Sequence, residues 1–137
     1  MRRAALLVGL AWLGSPAAAH AGVTEVSPPD GSTLIAAPRE VTLRFTEPVG
    51  LRFSVFKVYP LPAGVSGNRA LTEFSRSALR RHADEAARAD LYRPAAGRAQ
   101  TVRIPLKPGL KGRYAVMWKV MSADGHPVSG QATFSIR

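Results

Sequence analysis

Near the carboxyl end of the chain stands SADGHPVSG, residues 122–130, with Asp124 two positions before His126. In an extended segment residues two apart project to the same side. The acid and the imidazole can therefore form a polar turn or one half of a metal site. The chain contains no cysteine, which excludes disulfides and thiolate ligands together. Any metal must be held by nitrogen, oxygen or thioether sulfur.

Two further histidines are present, His20 and His82. His20 follows MRRAALLVGLAWLGSPAAA, in which Arg2 and Arg3 precede an apolar stretch from Ala4 to Leu13 and the small residues Ala17, Ala18 and Ala19. This order is that of a secretory signal peptide. The apolar run is too short to span a membrane, which takes about 20 residues. Residues 1–19 are thus expected to be removed, leaving one domain over 20–137 with no spanning segment. Cleavage after Ala19 would make His20 the first residue, with a free α-amine beside its imidazole. The amine and Nδ1 of one residue can close a six-membered chelate ring on a metal. With Asp124 and His126, the donors become one amine nitrogen, two imidazole nitrogens and a carboxylate oxygen. Nitrogen and oxygen in a tetragonal plane suit Cu(II), which also heads the divalent affinity order. His82 reads as a solvent-facing helix residue, outside this set.

The elements that must position these residues read mostly as strands. VTLRFTE (41–47) alternates Val41, Leu43 and Phe45 with polar residues, the two-residue period of a half-buried strand. LRFSVFKVY (51–59), QTVRIPL (100–106), RYAVMWKVM (113–121) and QATFSI (131–136) are strand-like as well, and in RYAVMWKVM the residues Tyr114, Val116, Trp118 and Val120 share a face. Proline- and glycine-rich turns at 28–32, 60–64 and 107–112 separate them. An all-β, Greek-key β-sandwich of about seven strands is expected. Residues 68–97 break the pattern: Leu71, Phe74, Ala78, Leu79, His82 and Ala86 recur near the helical period, which predicts a helix or loop insertion there. The formal charge of +10 reads as solvation, with anionic lipid or an acidic partner as the surfaces it would attract. With no basic helix interleaved with aromatics, and with export expected, nucleic acid is not the partner.

The histidine at the expected mature start, APREVTLRFTEPV (37–49) and YAVMWKVMSADGHPVSGQATFSI (114–136) together resemble the CopC family of periplasmic copper-binding proteins. The resemblance implies a seven-stranded Greek-key sandwich that carries copper in the bacterial periplasm and is not an enzyme. It implies His20, Asp124 and His126 as the ligands of one Cu(II) per chain, and Glu47 as a residue that supports the site beside the amine without ligating. It also implies an inner-membrane copper transporter of the CopD type as partner. Some members hold Cu(I) through a methionine series. Here Met117 and Met121 form no such series, and no separate Cu(I) site is expected. Gly22 stands where some members have another histidine, and residues 68–97 have no counterpart in the resemblance. Two other functions fit the same residues: an oxygen-activating enzyme built on a terminal-histidine copper brace, and a metal-free sandwich used for adhesion or scaffolding.

Overall fold

The computed structural model describes residues 21–137. Six strands and one helix follow in order: β1 (Val23–Ser27), β2 (Ser32–Leu34), β3 (Glu40–Pro60), α1 (Gly67–Leu79), β4 (Arg98–Pro105), β5 (Gly112–Met121) and β6 (Pro127–Ile136). The architecture is the expected all-β sandwich. The count differs by one because 41–47 and 51–59 are halves of a single 21-residue strand. Its first half pairs with β1 and β4, and its second half pairs with β5. Gly50 stands at the change of partners, opposite Arg98 on β4 and Met121 on β5, with register shifts on either side. Irregular pairing of this kind bends a strand and raises its twist. The sheet therefore curls back on itself, and Phe45 and Phe56 from the two halves meet with ring centroids 6.3 Å apart. β1 lies antiparallel on β3, whereas β2 lies parallel on β6, so the amino-terminal segment closes both ends of the strand order.

The alternation seen in the sequence sets the core. Val41, Leu43 and Phe45 are fully buried, as are Val58, Ile104 and Val120. Tyr114, Val116, Trp118 and Val120 share the inner face of β5 as expected. The other face of β5 is also buried, which an alternating pattern does not predict. Ala115 and Met117 pack with Tyr59, Leu61 and Ala78 beneath α1. Met117, wholly enclosed in this second cluster, offers no sulfur to a soluble metal ion.

The helical period in 68–97 is realised only in part. Leu71, Phe74, Ala78 and Leu79 form the sheet-facing side of α1, but the helix ends before His82 and Ala86. The reason lies on another strand. Lys57, 4% exposed on β3, donates from Nζ to the carbonyls of Ala78 (3.0 Å) and Arg81 (2.8 Å) and to Asp84 Oδ2 (2.7 Å). A cation at the last carbonyls satisfies acceptors that a helix end leaves open and opposes the negative end of its dipole. The chain then turns through Ala83, at φ 51°, and runs back along the sheet. There Ala89 N donates to Val58 O (2.7 Å) and Leu91 N to Pro105 O (2.8 Å). The carboxylate of Asp90 accepts from Val58 N (2.7 Å), Tyr92 N (3.0 Å) and Arg88 Nη2 (2.9 Å). The insertion is thus fastened to the sandwich by its own buried charges. His82 is exposed, as expected, but lies beyond the helix.

Candidate metal centre

β5 and β6 form a hairpin whose last pair is Met121 with Pro127, and residues 122–126 make its tip. Gly125 N donates to Ser122 O (3.0 Å), with Gly125 at φ 82°, a left-handed conformation that glycine adopts without a Cβ clash. Ser122 N in turn donates to His126 O (2.9 Å). The sequence DG, flanked by strand residues, is sufficient to write such a turn.

This tip places Asp124 and His126 side by side, with His126 Nδ1 3.1 Å from Asp124 Oδ2 and side-chain exposures of 70% and 35% for the histidine and the aspartate. The two carboxylate oxygens have different duties. Oδ1 accepts from the Ser122 hydroxyl and from His126 N (3.3 Å), which holds the carboxylate in place. Oδ2 faces the imidazole alone. The Ser122 hydrogen bond, and next those from His126, hold the Asp124 carboxyl down at about 2. The pair therefore presents an anionic oxygen and an imidazole nitrogen at an accessible surface, a donor set that suits a borderline divalent metal.

Glu47 joins the tip to the rest of the sandwich. Its Oε1 accepts from Ala123 N at 3.0 Å, across 76 residues of sequence. The neighbouring Thr46 is bonded to the start of the described chain: Thr46 N donates to Gly22 O (2.8 Å), and Gly22 N donates to Thr46 Oγ1 (3.1 Å). Ala21, the residue after His20, is fully buried. His20 itself and the expected signal peptide, residues 1–19, lie outside the described residues. Among the described residues no group of three His, Asp or Glu could hold a metal ion. His82 lines a pocket with Asp84 and Arg88, which neither Asp124 nor His126 lines.

Ser122 escaped the reading of the sequence. It is 4% exposed and its hydroxyl meets three groups of the tip: Asp124 Oδ1, His126 O (2.9 Å) and His126 N (3.2 Å). A serine opening a turn, followed by Asp and Gly, was the available signal. Gly130 also has a specific reason to be glycine. A Cβ there would stand 2.5 Å from Cζ2 of Trp118, whose indole lies across the β6 backbone and is only 6% exposed.

Fold and site define a class, a cysteine-free β-sandwich with a nitrogen-and-oxygen donor pair at one hairpin tip. Among the described residues no helix is long and apolar enough to cross a membrane. The family model described as the CopC domain matches residues 23–137, and the chain belongs to the CopC family. Members of this family are periplasmic copper-binding resistance proteins, not enzymes. The chain is 31% identical over 120 residues to protein YobA of Escherichia coli, covering 87% of this chain and 80% of that one. It is 29% identical over 111 residues to copper resistance protein C of Escherichia coli, covering 81% and 77%. A third relative, copper transport protein CutJ of Bacillus subtilis, is 33% identical over 132 residues, which is 96% of this chain but only 20% of CutJ. The chain thus spans a fifth of that longer protein. Among solved structures, PcoC of Escherichia coli, a methionine-rich copper resistance protein, superposes with a TM-score of 0.60 at 24% identity, covering 87% of this chain and all of that one. CopC of Methylosinus trichosporium superposes at 0.58 with 21% identity, covering 85% and 93%. These two likenesses establish the shared fold.

Proposed function

We propose that this protein binds one Cu(II) in the periplasm through the amine and imidazole of His20, the Asp124 carboxylate and the His126 imidazole. It buffers the ion or delivers it to an inner-membrane transporter of the CopD type. Export by a signal peptide cleaved after Ala19 creates the amine ligand. One observation carries this reading. Glu47 fastens the Asp124–His126 tip to β3, at the residue next to Thr46, which pairs with Gly22 two positions after His20. Gly22 therefore lies at the same end of the molecule as the tip. Glu47 then serves both halves without ligating. Asp124 keeps Oδ2 available because Oδ1 takes the structural hydrogen bonds. Met117 is enclosed beneath α1, which favours a site of nitrogen and oxygen over a thioether site for Cu(I). The match to a fifth of a protein named for copper transport supports a role alongside a transporter.

The test is a comparison of the protein beginning at His20 with the same protein beginning Gly-His20. In the longer form the His20 nitrogen is an amide whose lone pair is delocalised into the carbonyl. Cu(II) affinity should fall by about two to four factors of ten, each worth about 1.4 kcal/mol. Equal affinities would remove His20 from the site and leave Asp124 and His126 alone.

A further inference from the structure

Between α1 and the β5–β6 hairpin lies a cavity of about 400 Å³. Ser75, Arg76 and Arg80 line it from the helix side, and Lys119, Ser129 and Gln131 line it from the hairpin. One wall is fixed by a bond across the gap, with Gln131 Nε2 donating to Thr72 Oγ1 at 2.9 Å. The Lys119–Ser129 pair stands two rungs before Met121–Pro127, the last pair below the Asp124–His126 tip.

The charge of this cavity is of one sign. Three cations converge on it and no carboxylate lines it. Arg76, Arg80 and Lys119 take part in no ion pair among the described residues. The buried cations nearby are matched, Lys57 of β3 by Asp84 and Arg88 by Asp84 and Asp90, whereas Arg76, Arg80 and Lys119 are exposed and open to a ligand. Like charges gathered without a counter-charge repel one another, and a bound anion relieves that repulsion while gaining charge-assisted hydrogen bonds. A second observation is independent of charge. Ser75 is 1% exposed and its buried hydroxyl has no hydrogen-bond partner among the described residues. An unmade bond to a buried hydroxyl costs about 1–3 kcal/mol. Rotation about χ1 among its staggered positions is the adjustment by which an entering oxygen could pair with it.

The geometry points to a binding site for a small polyanion bearing carboxylate or phosphate groups, seated between α1 and the β5–β6 hairpin. The volume falls within the range of about 300–1,000 Å³ typical of small-molecule pockets. Arg76 and Arg80 supply planar guanidinium forks, Lys119 a point charge, and Ser129 and Gln131 neutral donors. The insertion thereby acquires a task of its own, separate from the copper ligands.

The experiment uses metal-free protein titrated with citrate and, separately, with pyrophosphate, followed by calorimetry and by backbone amide NMR. Saturable one-to-one binding is expected at physiological ionic strength, with shifts concentrated at residues 72–80, 119 and 129–131. The probe that binds tighter identifies carboxylate or phosphate as the preferred group. Arg80→Gln and Lys119→Gln should each weaken binding about tenfold or more, the usual worth of a charge-assisted hydrogen bond. Arg137→Gln removes the same charge at the carboxyl terminus and should leave binding unchanged. Ser75→Ala should weaken binding while leaving the unfolding free energy unchanged or higher, because it deletes an unpartnered buried hydroxyl. Binding that never saturates, shifts scattered over the basic surface, or equal losses in Arg80→Gln and Arg137→Gln would overturn the assignment, showing attraction to net charge and not to a site.

Discussion

Replacing Lys57 by Met tests how the insertion is held and whether it matters to copper. The substitution keeps most of the stem that packs beneath α1 and removes the charge. Three bonds are lost at once: to Ala78 O at 3.0 Å, Arg81 O at 2.8 Å and Asp84 Oδ2 at 2.7 Å. With side-chain exposures of 5% and 8% for Lys57 and Asp84, water replaces little of what is lost. Asp84 keeps Tyr59 and Arg88, whose Nη1 is 3.5 Å from Oδ1. Burial opposes ionisation of Asp84, and the Lys57 and Tyr59 hydrogen bonds outweigh it, so its carboxyl lies below the ordinary value. Removing one partner of a buried pair costs about 3–5 kcal/mol. Because Asp84 retains two partners, we expect the low end, about 3 kcal/mol, with a fall in Tm of about 10 °C. Urea denaturation followed by circular dichroism measures it, and a cycle with Asp84→Asn separates the pair from the carbonyl contacts. Cu(II) affinity at a temperature where the variant is folded should stay within a few-fold. Lys57 pairs with Met117, four residues or about 13 Å along β5 from Met121. A stability loss under about 1 kcal/mol would refute the account of the helix end, and a hundredfold loss of copper affinity would refute the separation of insertion and site.

Four other outcomes follow from the same geometry. Gly130→Ala should destabilise by about 1–3 kcal/mol and shift the Trp118 emission, since the new Cβ collides with the indole; an unchanged spectrum and stability would refute the close approach. Cu(II) affinity should fall as pH drops from about 8 to 5, because reference imidazoles titrate near 6.5 and α-amines near 7.7–8.0 while metal and proton compete for the same nitrogens; a flat profile in competition titrations would exclude them. Asp124 has its carboxyl lowered from 3.8 to about 2, so its contribution to tip order is present above 3.8 and lost as pH falls through about 2; amide exchange at 122–126 should rise only in that window. Asp124→Ala should weaken Cu(II) less than His126→Ala, as one ligand among four, and Zn(II) binding as tightly as Cu(II) in competition would sink the donor set.

The strands were legible because their apolar residues recur every second position, and the core residues of β3 and β5 can be picked from that pattern. What the pattern could not show is that 41–47 and 51–59 are continuous. Between them stand Pro48 and Gly50, and the pairing of Gly50 with Arg98 and Met121 on two different neighbours keeps the chain extended. The helix was legible through Leu79. Its end was not, since the apolar period runs on through His82 and Ala86 and the stop is imposed by Lys57 from a strand ten residues before the helix begins. That Asp124 and His126 stand side by side was legible from their spacing, which by itself left a polar turn and half of a metal site equally open. The bond from Ala123 to Glu47 was not, because it depends on which end of β3 the hairpin tip reaches.

The fate of each acid depends on how many donors already hold it. Asp90 accepts from two backbone amides and Arg88, and both oxygens are engaged. Asp84 is held by Lys57, Tyr59 and Arg88, so burial and pairing together close it to a metal. Glu47 spends one oxygen on Ala123 N. At Asp124 the structural bonds fall on Oδ1, while Oδ2 faces an imidazole that is itself a suitable ligand. A metal arriving at Asp84 or Asp90 would have to break several charge-assisted bonds, each worth about 1.5–3 kcal/mol. At the tip it would displace only the contact between two groups that it then binds. The insertion therefore offers a cation little: Asp84 and Asp90 are neutralised by Lys57 of β3 and by Arg88, and the unpaired cations at the 400 Å³ cavity repel positive charge.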